Sequence, residues 1–568
     1  MIEVSSSQES AIVKAESALE ASKLLSNFLQ VLGIESGARR EENLVWLAPS
    51  DLLLVWHLIE QRDYSSSPQI QSLISDAVTQ RERHGSARQQ FYKRLEVRDT
   101  SLLSDYWLKT LFDYQAIASN ALVTPGLLGG CLFDEQGTGK TVISLSVLES
   151  LFSCGEVQKA VVVAPKTLIR NGWLPEIRKF WPSPNISIVE VEGTKQQRLS
   201  KYREQHDFYL LTYDAAYRDL ISLKSLMASA KVGLVVDESY FVKNSQSLRG
   251  AALEGISNAA AFRLILCGTP APNSPADIVH QFNLSDLGYT FGHWTQSELK
   301  EPDQEKISSA ISERGVMLRR LKSDVLESLP PKKIAINWFD LNVHQRQLYD
   351  EAKTEFLLYL KNLSQETFTR DLVTYFQRRA ALLQICISPN LIGDPLVDSA
   401  KYEAVLNRVQ ELFVENPDRK LLVWSAYTKS TDHLMHILKT YSPARIDGTM
   451  NSDNRRESLL RFQNDSNSKI MIGNPSAAGA GLNLVEADVA LYVSHSNQAA
   501  PFMQSIDRIH RIGQKAEVVK YEFFAARGTI ENTEISTLLA KQLRQSELLR
   551  DKEDSLDLNK VILELETE

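Results

Sequence analysis

The stretch "FDEQGTGKTVISL", Phe133–Leu145, decides the fold. A glycine-rich turn ending in Gly-Lys-Thr and running into apolar residues of helical spacing is a pattern that cradles a nucleotide phosphate. The compact run "GGCLF" before it reads as a buried strand, so the unit is strand, turn, helix. Gly137 and Gly139 let the backbone bend until its N–H groups face phosphate oxygens at a helix N-terminus. Lys140 is placed to pair with the β- and γ-phosphates, and the Thr141 hydroxyl to ligate Mg²⁺. Gly137, Thr138, Gly139, Lys140 and Thr141 are thus the candidate nucleotide-binding residues. Asp134 stands where the strict G-x-x-x-x-G-K-[ST] pattern has its first glycine.

Outward from this turn, short Val/Leu-rich runs alternate with helical stretches: "KAVVVAP", "FYLLTY", "VGLVVDE" and "FRLILCG". Such runs suit strands buried on both faces of a parallel sheet. The rhythm returns with "KLLVWSA", "KIMIGN", "DVALYVS" and "VVKYEFFA", giving a second α/β unit. The expected organisation is a helical accessory domain at 1–100, an ATP-binding domain at 101–287, a helical insertion at 288–398, a second α/β domain at 399–533 and closing helices at 534–568. The accessory region reads as helices in "ESALEASKLLSNFLQVLG" and "PSDLLLVWHLIEQ", with "DYSSSPQ" as a loop.

The end of "LVVDE" sets Asp237 and Glu238 at the tip of a buried strand, expected to lie beside the strand of the phosphate turn. Asp237 then serves the Mg²⁺ shell, and Glu238 polarises the attacking water. Near the other end, "QSIDRIHRIGQ" supplies Gln504, Arg508 and Arg511, the arginines three apart on one helix face. Guanidinium groups reaching a γ-phosphate from a second domain stabilise the charge that develops in phosphoryl transfer. The site is therefore read as split between two lobes.

Composition bounds the alternatives. With 568 residues the chain is too long for one core, and 43% hydrophobic with 24% charged residues is the balance of a globular protein. A net charge of −8 argues against coating nucleic acid by overall charge, but leaves room for a local basic cleft. No apolar run is long enough to span a bilayer, and the N-terminus has no signal-peptide character. Cys131, Cys154, Cys267 and Cys386 are widely spaced, as core thiols in a reducing compartment are, and no metal cluster is expected of them.

Read in order, these segments resemble the superfamily two helicases and, within them, the Swi/Snf-type DNA translocase ATPases. "FDYQ" is similar to the adenine-reading segment, which implies that Gln115 lies near the base. "DEQGTGKT" is similar to DEMGLGKT, "VVDESYFVKN" to DEAH-x-x-KN, "LCGTPAPNS" to LTGTP-x-x-N, and "MLRRLKSDVLESLPPKK" to LRR-x-K-x-D-V…LPPK. "RIDGTM", "AAGAGLNL", which holds Gly481, "DRIHRIGQ" and "GTIEN" resemble the motifs of the second lobe. Two departures stand out: the histidine of DEAH is absent from Asp237-Glu238-Ser239-Tyr240, and the Trp-Asn-Pro before the arginine motif is missing. The latter is more similar to compact bacterial and phage members.

The resemblance implies two RecA-like parallel-sheet P-loop domains in tandem, with helical insertions and the helical N-terminal accessory domain. It implies ATP and Mg²⁺ as cofactors and double-stranded DNA, bound without sequence specificity, as partner. Lys166, Thr167 and Tyr213 in the first unit, and Ser425 and Asn483 in the second, match backbone-contacting positions. Thr167 is equally read as a helix cap and Tyr213 as a strand end. The expected activity is a DNA-dependent ATPase that translocates on duplex DNA and remodels DNA or protein–DNA complexes. The alternatives are a strand-separating DNA or RNA helicase, or the motor subunit of a DNA-repair or phage-defence assembly docked through the N-terminal helices. No membrane association is expected. The expected location is cytoplasmic, at the nucleoid in a prokaryote and nuclear in a eukaryote.

Overall fold

The computed structural model describes residues 2–7, 10–32, 39–47, 59, 63–271, 276–292, 294, 304–326, 329–394, 398–475, 482, 484–494, 502, 505–511 and 513–535. The chain divides into two compact units between Leu321 and Lys322.

The first unit holds two sheets. The larger comprises β6 Gly129–Leu132, β7 Lys159–Val163, β8 Ile188–Glu190, β9 Phe208–Leu211, β10 Val232–Asp237, β11 Phe262–Leu266 and β12 Met317–Leu318, in the order β12-β6-β11-β10-β7-β9-β8. Every neighbouring pair is parallel. β6, β9, β10 and β11 are buried at every position, as strands covered by helices on both faces must be. The helix Lys140–Ser153 packs one face through Ile143, Leu145, Val147 and Leu148, among Leu132, Val162, Leu210 and Val235. Gly129 can only be glycine: a Cβ there would lie 2.3 Å from the Arg263 carbonyl.

The strand order corrects one expectation. β11, not β10, lies beside β6, so the acidic strand stands one place further from the phosphate turn. Parallel strands joined by helices can be laid down in several orders, and the runs themselves do not encode which.

A second correction concerns the N-terminal region expected to be helical. The helix Ala18–Leu32 is present, but it accompanies a five-stranded sheet of order β3-β4-β2-β1-β5. Its strands are β1 Ile2–Ser7, β2 Ser10–Lys14, β3 Arg39–Glu41, β4 Leu44–Leu47 and β5 Tyr64–Ser66. They are short, and "IEVSSS" hides a two-residue alternation, with Ile2 and Val4 buried, behind polar serines. "DYSSSPQ" is not a loop: it forms β5 and then starts the 29-residue helix Pro68–Glu96, with the Ser67 hydroxyl accepting from the Ile70 N–H. Most of "PSDLLLVWHLIEQ" lies outside the described residues.

The second unit contains β13 Lys332–Phe339, β14 Leu421–Trp424, β15 Ala444–Ile446, β16 Ile470–Gly473, β17 Val489–Tyr492 and β18 Val519–Ala526, parallel throughout, in the order β13-β18-β17-β14-β16-β15. The segment 288–398, expected to be helical, supplies helices at Val343–Lys361 and Leu372–Ile387, but also β12 and the eight-residue edge strand β13. β13 escapes a hydrophobic reading because it is half-exposed and interrupted by Lys332, Lys333 and Asn337. The closing segment 536–568 lies outside the described residues.

All four cysteines are free thiols, and Cys131, Cys267 and Cys386 are buried. Among the described residues, no group of His, Cys, Asp or Glu is arranged to hold a metal ion, and no helix is long and apolar enough to cross a membrane.

Two buried histidines make the first unit acid-sensitive. The His84 ring accepts the Leu128 N–H through Nδ1 at 3.1 Å; burial, with Arg263 and Arg88 nearby, lowers its pKa to about 4. Burial likewise lowers His280 to about 4. Unfolding restores titration near 6.5, so their stabilising contribution is complete above that pH and is lost as the pH falls through 4. Urea unfolding of the full chain should lose about 3 kcal/mol per histidine across this window.

Candidate functional site

The phosphate turn leaves β6 at Leu132 and enters its helix at Lys140. Gly137 and Gly139 have φ of 88° and 85°, the left-handed region that side chains avoid. A Cβ on Gly139 would also lie 2.3 Å from Gln115 Nε2. Lys140 Nζ donates to the Asp134 carbonyl at 2.8 Å and to the Glu135 carbonyl at 3.3 Å, so the ammonium is held inside the turn. Thr141 follows in the first helical turn.

The turn is braced from two sides. Tyr114 Oη and Gln115 Nε2 both donate to the Thr138 carbonyl, at 2.8 and 3.0 Å, while Gln115 Oε1 accepts the Phe112 N–H at 3.1 Å. Gln115 is buried and supports the loop directly. On the other side stands Asp134, the residue that breaks the strict glycine pattern. It is fully buried and accepts Arg320 Nε through both oxygens at 3.1 Å, together with the Arg320 backbone N–H at 3.0 Å. The same guanidinium lies 5.1 Å over the Tyr114 ring. Arg319 donates to the Phe133 and Gly268 carbonyls. These two arginines were not singled out from sequence; the LRR pattern was the signal, but their target, a carboxylate 186 residues earlier, was not legible.

The acidic strand end is equally constrained. Asp237 Oδ2 accepts Trp173 Nε1 at 2.9 Å and its Oδ1 accepts the Glu238 N–H at 2.8 Å. Burial raises the Asp237 carboxyl above its ordinary range, against the pull of the Trp173 bond and the Lys140 charge. Lys140 and Asp237 thus share one electrostatic environment. Glu238 has φ 55°, a strained conformation for a residue with a side chain, and its Oε1 accepts Gln136 Nε2 at 3.0 Å. Cys267 beside it is pushed up to about 12 by burial, so it stays a neutral thiol.

Of the residues expected to meet a nucleic-acid backbone, Lys166 is exposed, with Nζ 3.3 Å from Glu192. Thr167 is half-buried in the one-turn helix Lys166–Leu168. Tyr213 is a correction: it is only 5% exposed and its hydroxyl donates to the Asp237 carbonyl at 2.6 Å, so it supports the acidic strand end. Lys166 and Tyr213 nevertheless line one cavity of about 420 Å³, with Arg218, Arg249 and Phe241, which sequence reasoning missed. In the second unit Ser425 is buried at the end of β14, its N–H donating to the Gly473 carbonyl at 2.9 Å. Gly481, Asn483 and Gln504 lie outside the described residues.

Arg508 and Arg511 both donate to the Leu482 carbonyl, at 3.4 and 3.0 Å, from turn and bend residues rather than from the expected helix face, and Arg508 is almost wholly buried. Asp507, immediately before Arg508, accepts Lys322 Nζ at 2.5 Å. Burial would raise the Asp507 carboxyl, but Lys322 and Lys332 bring it below the usual carboxylate range. Lys322 Nζ also donates to the His510 carbonyl at 3.0 Å, so the "LKSDV" segment anchors the arginine motif.

Removing one partner of the Asp134–Arg320 pair strands a buried carboxylate. Arg320→Ala should cost about 3–5 kcal/mol in urea unfolding, and Arg320→Lys should restore only part, because an ammonium lacks the planar fork that spans both oxygens.

With this geometry in place, the chain can be set beside known proteins. The SNF2-related domain matches residues 40–391, and the helicase conserved C-terminal domain matches residues 404–513. An uncharacterized ATP-dependent helicase of Mycoplasma genitalium is 28% identical over 84% of this chain and 45% of its own length. The ISWI chromatin-remodeling complex ATPase CHR17 of Arabidopsis thaliana is 28% identical over 73% of this chain and 40% of its own. The chain therefore spans less than half the length of these curated relatives. Among solved structures, the Sulfolobus solfataricus SWI2/SNF2 ATPase core in complex with dsDNA is 21% identical, covering 77% of this chain and 91% of that one, with a TM-score of 0.36. The domain match alone takes in well over half the sequence, and the chain belongs to the SNF2-related domain family, with a helicase conserved C-terminal domain following it.

Proposed function

We propose that the chain is a DNA-dependent ATPase that couples ATP hydrolysis to translocation along double-stranded DNA. The observation that carries this reading is the shared environment of Lys140 and the Asp237-Glu238 strand end, each held by its own bonds at the mouth of one parallel sheet. In this reading Lys140 neutralises the β- and γ-phosphates, and the N–H groups of Gly137 to Thr141 cradle them. Glu238, positioned by Gln136, orients the attacking water. The donor set suits Mg²⁺, a hard cation that takes oxygen ligands: the Thr141 hydroxyl and the Asp237 carboxylate would hold it, and it would offset charge on the phosphate oxygens. Arg508 and Arg511, with Gln504, complete the stabilisation of the γ-phosphate from the second unit.

Phosphate contacts carry position but no sequence information. Lys166, with Arg218 and Arg249 around the same cavity, is suited to that role, with Asn483 as the proposed contribution of the second unit; Ser425, buried at the end of β14, does not reach a phosphate in this arrangement. Loss of the γ-phosphate on hydrolysis removes the preference for the closed arrangement of the two lobes, and alternating closure on DNA gives steps. The N-terminal sheet and helices form a proposed docking surface for a protein partner, and a cytoplasmic, nucleoid or nuclear location accords with a DNA substrate.

The test is steady-state ATP hydrolysis with no nucleic acid, single-stranded DNA, duplex DNA and RNA. Duplex DNA should stimulate most. Lys140→Ala and Glu238→Gln should each lower the stimulated rate by at least ~10²-fold, the scale of losing a general base or a phosphate clamp; wild-type turnover in either would overturn the assignment. Displacement of a triplex third strand without opening of a forked duplex separates translocation from strand separation.

A further inference from the structure

The acidic motif of this chain lacks a histidine at its fourth position, where Tyr240 instead stacks on Phe241 at 4.5 Å between ring centroids. A different connection leaves the motif one residue earlier. Ser239 Oγ donates to Gln281 Oε1 at 2.5 Å. Gln281 Nε2 in turn donates to the Pro270 carbonyl at 2.6 Å and to the Asp277 carbonyl at 2.7 Å. Ser239 and Gln281 are both fully buried.

Gln281 belongs to the helix Asp277–Asp286, where Ile278, Val279, Phe282 and Leu284 are buried with it. Packing at such a position asks only for an apolar side chain. A buried amide is costly unless its donors and acceptor are matched, and here both Nε2 hydrogens and Oε1 are matched. The geometry therefore accounts for the amide only if the three-way connection is what the position supplies. What it connects is specific. β11 lies between β6 and β10, so the Cys267–Pro270 segment leaving β11 emerges between the phosphate turn and the acidic strand end. A Cβ on Gly268 would lie 2.4 Å from Gln136 Cγ, and Gln136 holds Glu238. A second tie runs in parallel: Lys243, just past the turn Ser239–Val242, reaches Asp277 Oδ2 at 2.8 Å.

We infer that Gln281 is a positioning residue that makes the acidic strand end and the segment Gly268–Pro270 move as one body during ATP turnover. This rests on the ATPase reading above. Gln281 acts through Ser239 on the strand end that carries Asp237 and Glu238, and through Pro270 on the segment against Gln136. The amide does not titrate, so the link carries no proton and adds no ionisation of its own to the pH profile of turnover.

The test uses the full chain with saturating duplex DNA, resolving kcat and KM for ATP. Gln281→Met keeps length and apolar volume but removes the amide; Ser239→Ala removes one hydroxyl and leaves Gln281 bonded to Pro270. Each should lower kcat by ~10-fold, the scale on which lost supporting bonds act on a site, with KM for ATP unchanged. The double variant should be no slower than Gln281→Met, because both cut the same link. Wild-type kcat in Gln281→Met, a parallel rise in KM, or multiplying losses in the double variant would overturn the inference. Should Gln281→Met not fold, Ser239→Ala alone decides by the same criteria. A wild-type chain without DNA-stimulated turnover would instead overturn the ATPase reading.

Discussion

The first unit depends on one buried ion pair. Asp134 sits in the phosphate turn with no exposed surface, and the Arg320 guanidinium, matched to both its oxygens, together with the Arg320 backbone N–H makes that tenable. The pair does more than neutralise a charge. It ties the turn to a residue at the very end of the unit, one position before Leu321, and it holds Tyr114 beneath the guanidinium and so places the Gln115 bracket on Thr138. The second unit opens with its own anchor at Lys322, buried on Asp507. The chain thus passes from one unit to the other between two residues that are each fixed by a buried carboxylate.

A related economy governs the acidic strand end. Asp237, Glu238 and Ser239 all lie in surroundings that disfavour polar groups, and each is hydrogen-bonded to a neutral side chain: Trp173, Gln136 and Gln281. Neutral donors hold geometry and favour the ionised carboxylate without adding a charge, and Lys140 is the charge that acts on Asp237 in the same direction. Preorganisation of this kind suits chemistry that demands orientation more than covalent participation. The strained φ of Glu238 fits the same picture, because surrounding bonds over-determine it.

Much of this was legible in the amino-acid order. The nine strand runs read from Val- and Leu-rich segments all form parallel strands, because burial on both faces demands continuous apolar residues and leaves a strong local signal. β8, β12, β13 and β15 escaped that reading, being short or edge strands with polar interruptions. The N-terminal sheet escaped too, since β1 presents serines and β2 has only five residues.

The sequence by itself determined the phosphate turn, the acidic pair at a strand end and the existence of two parallel-sheet units, because backbone sterics at glycine and the burial of strands act over a few residues. Only the tertiary structure decided that β11 separates β6 from β10, that Asp134 is an anchor for Arg320, that Tyr213 faces inward to Asp237, and that Gln281 reaches Ser239. These pairings join residues tens to hundreds of positions apart. Their strength comes from desolvation and mutual geometry, which no single segment of the chain carries.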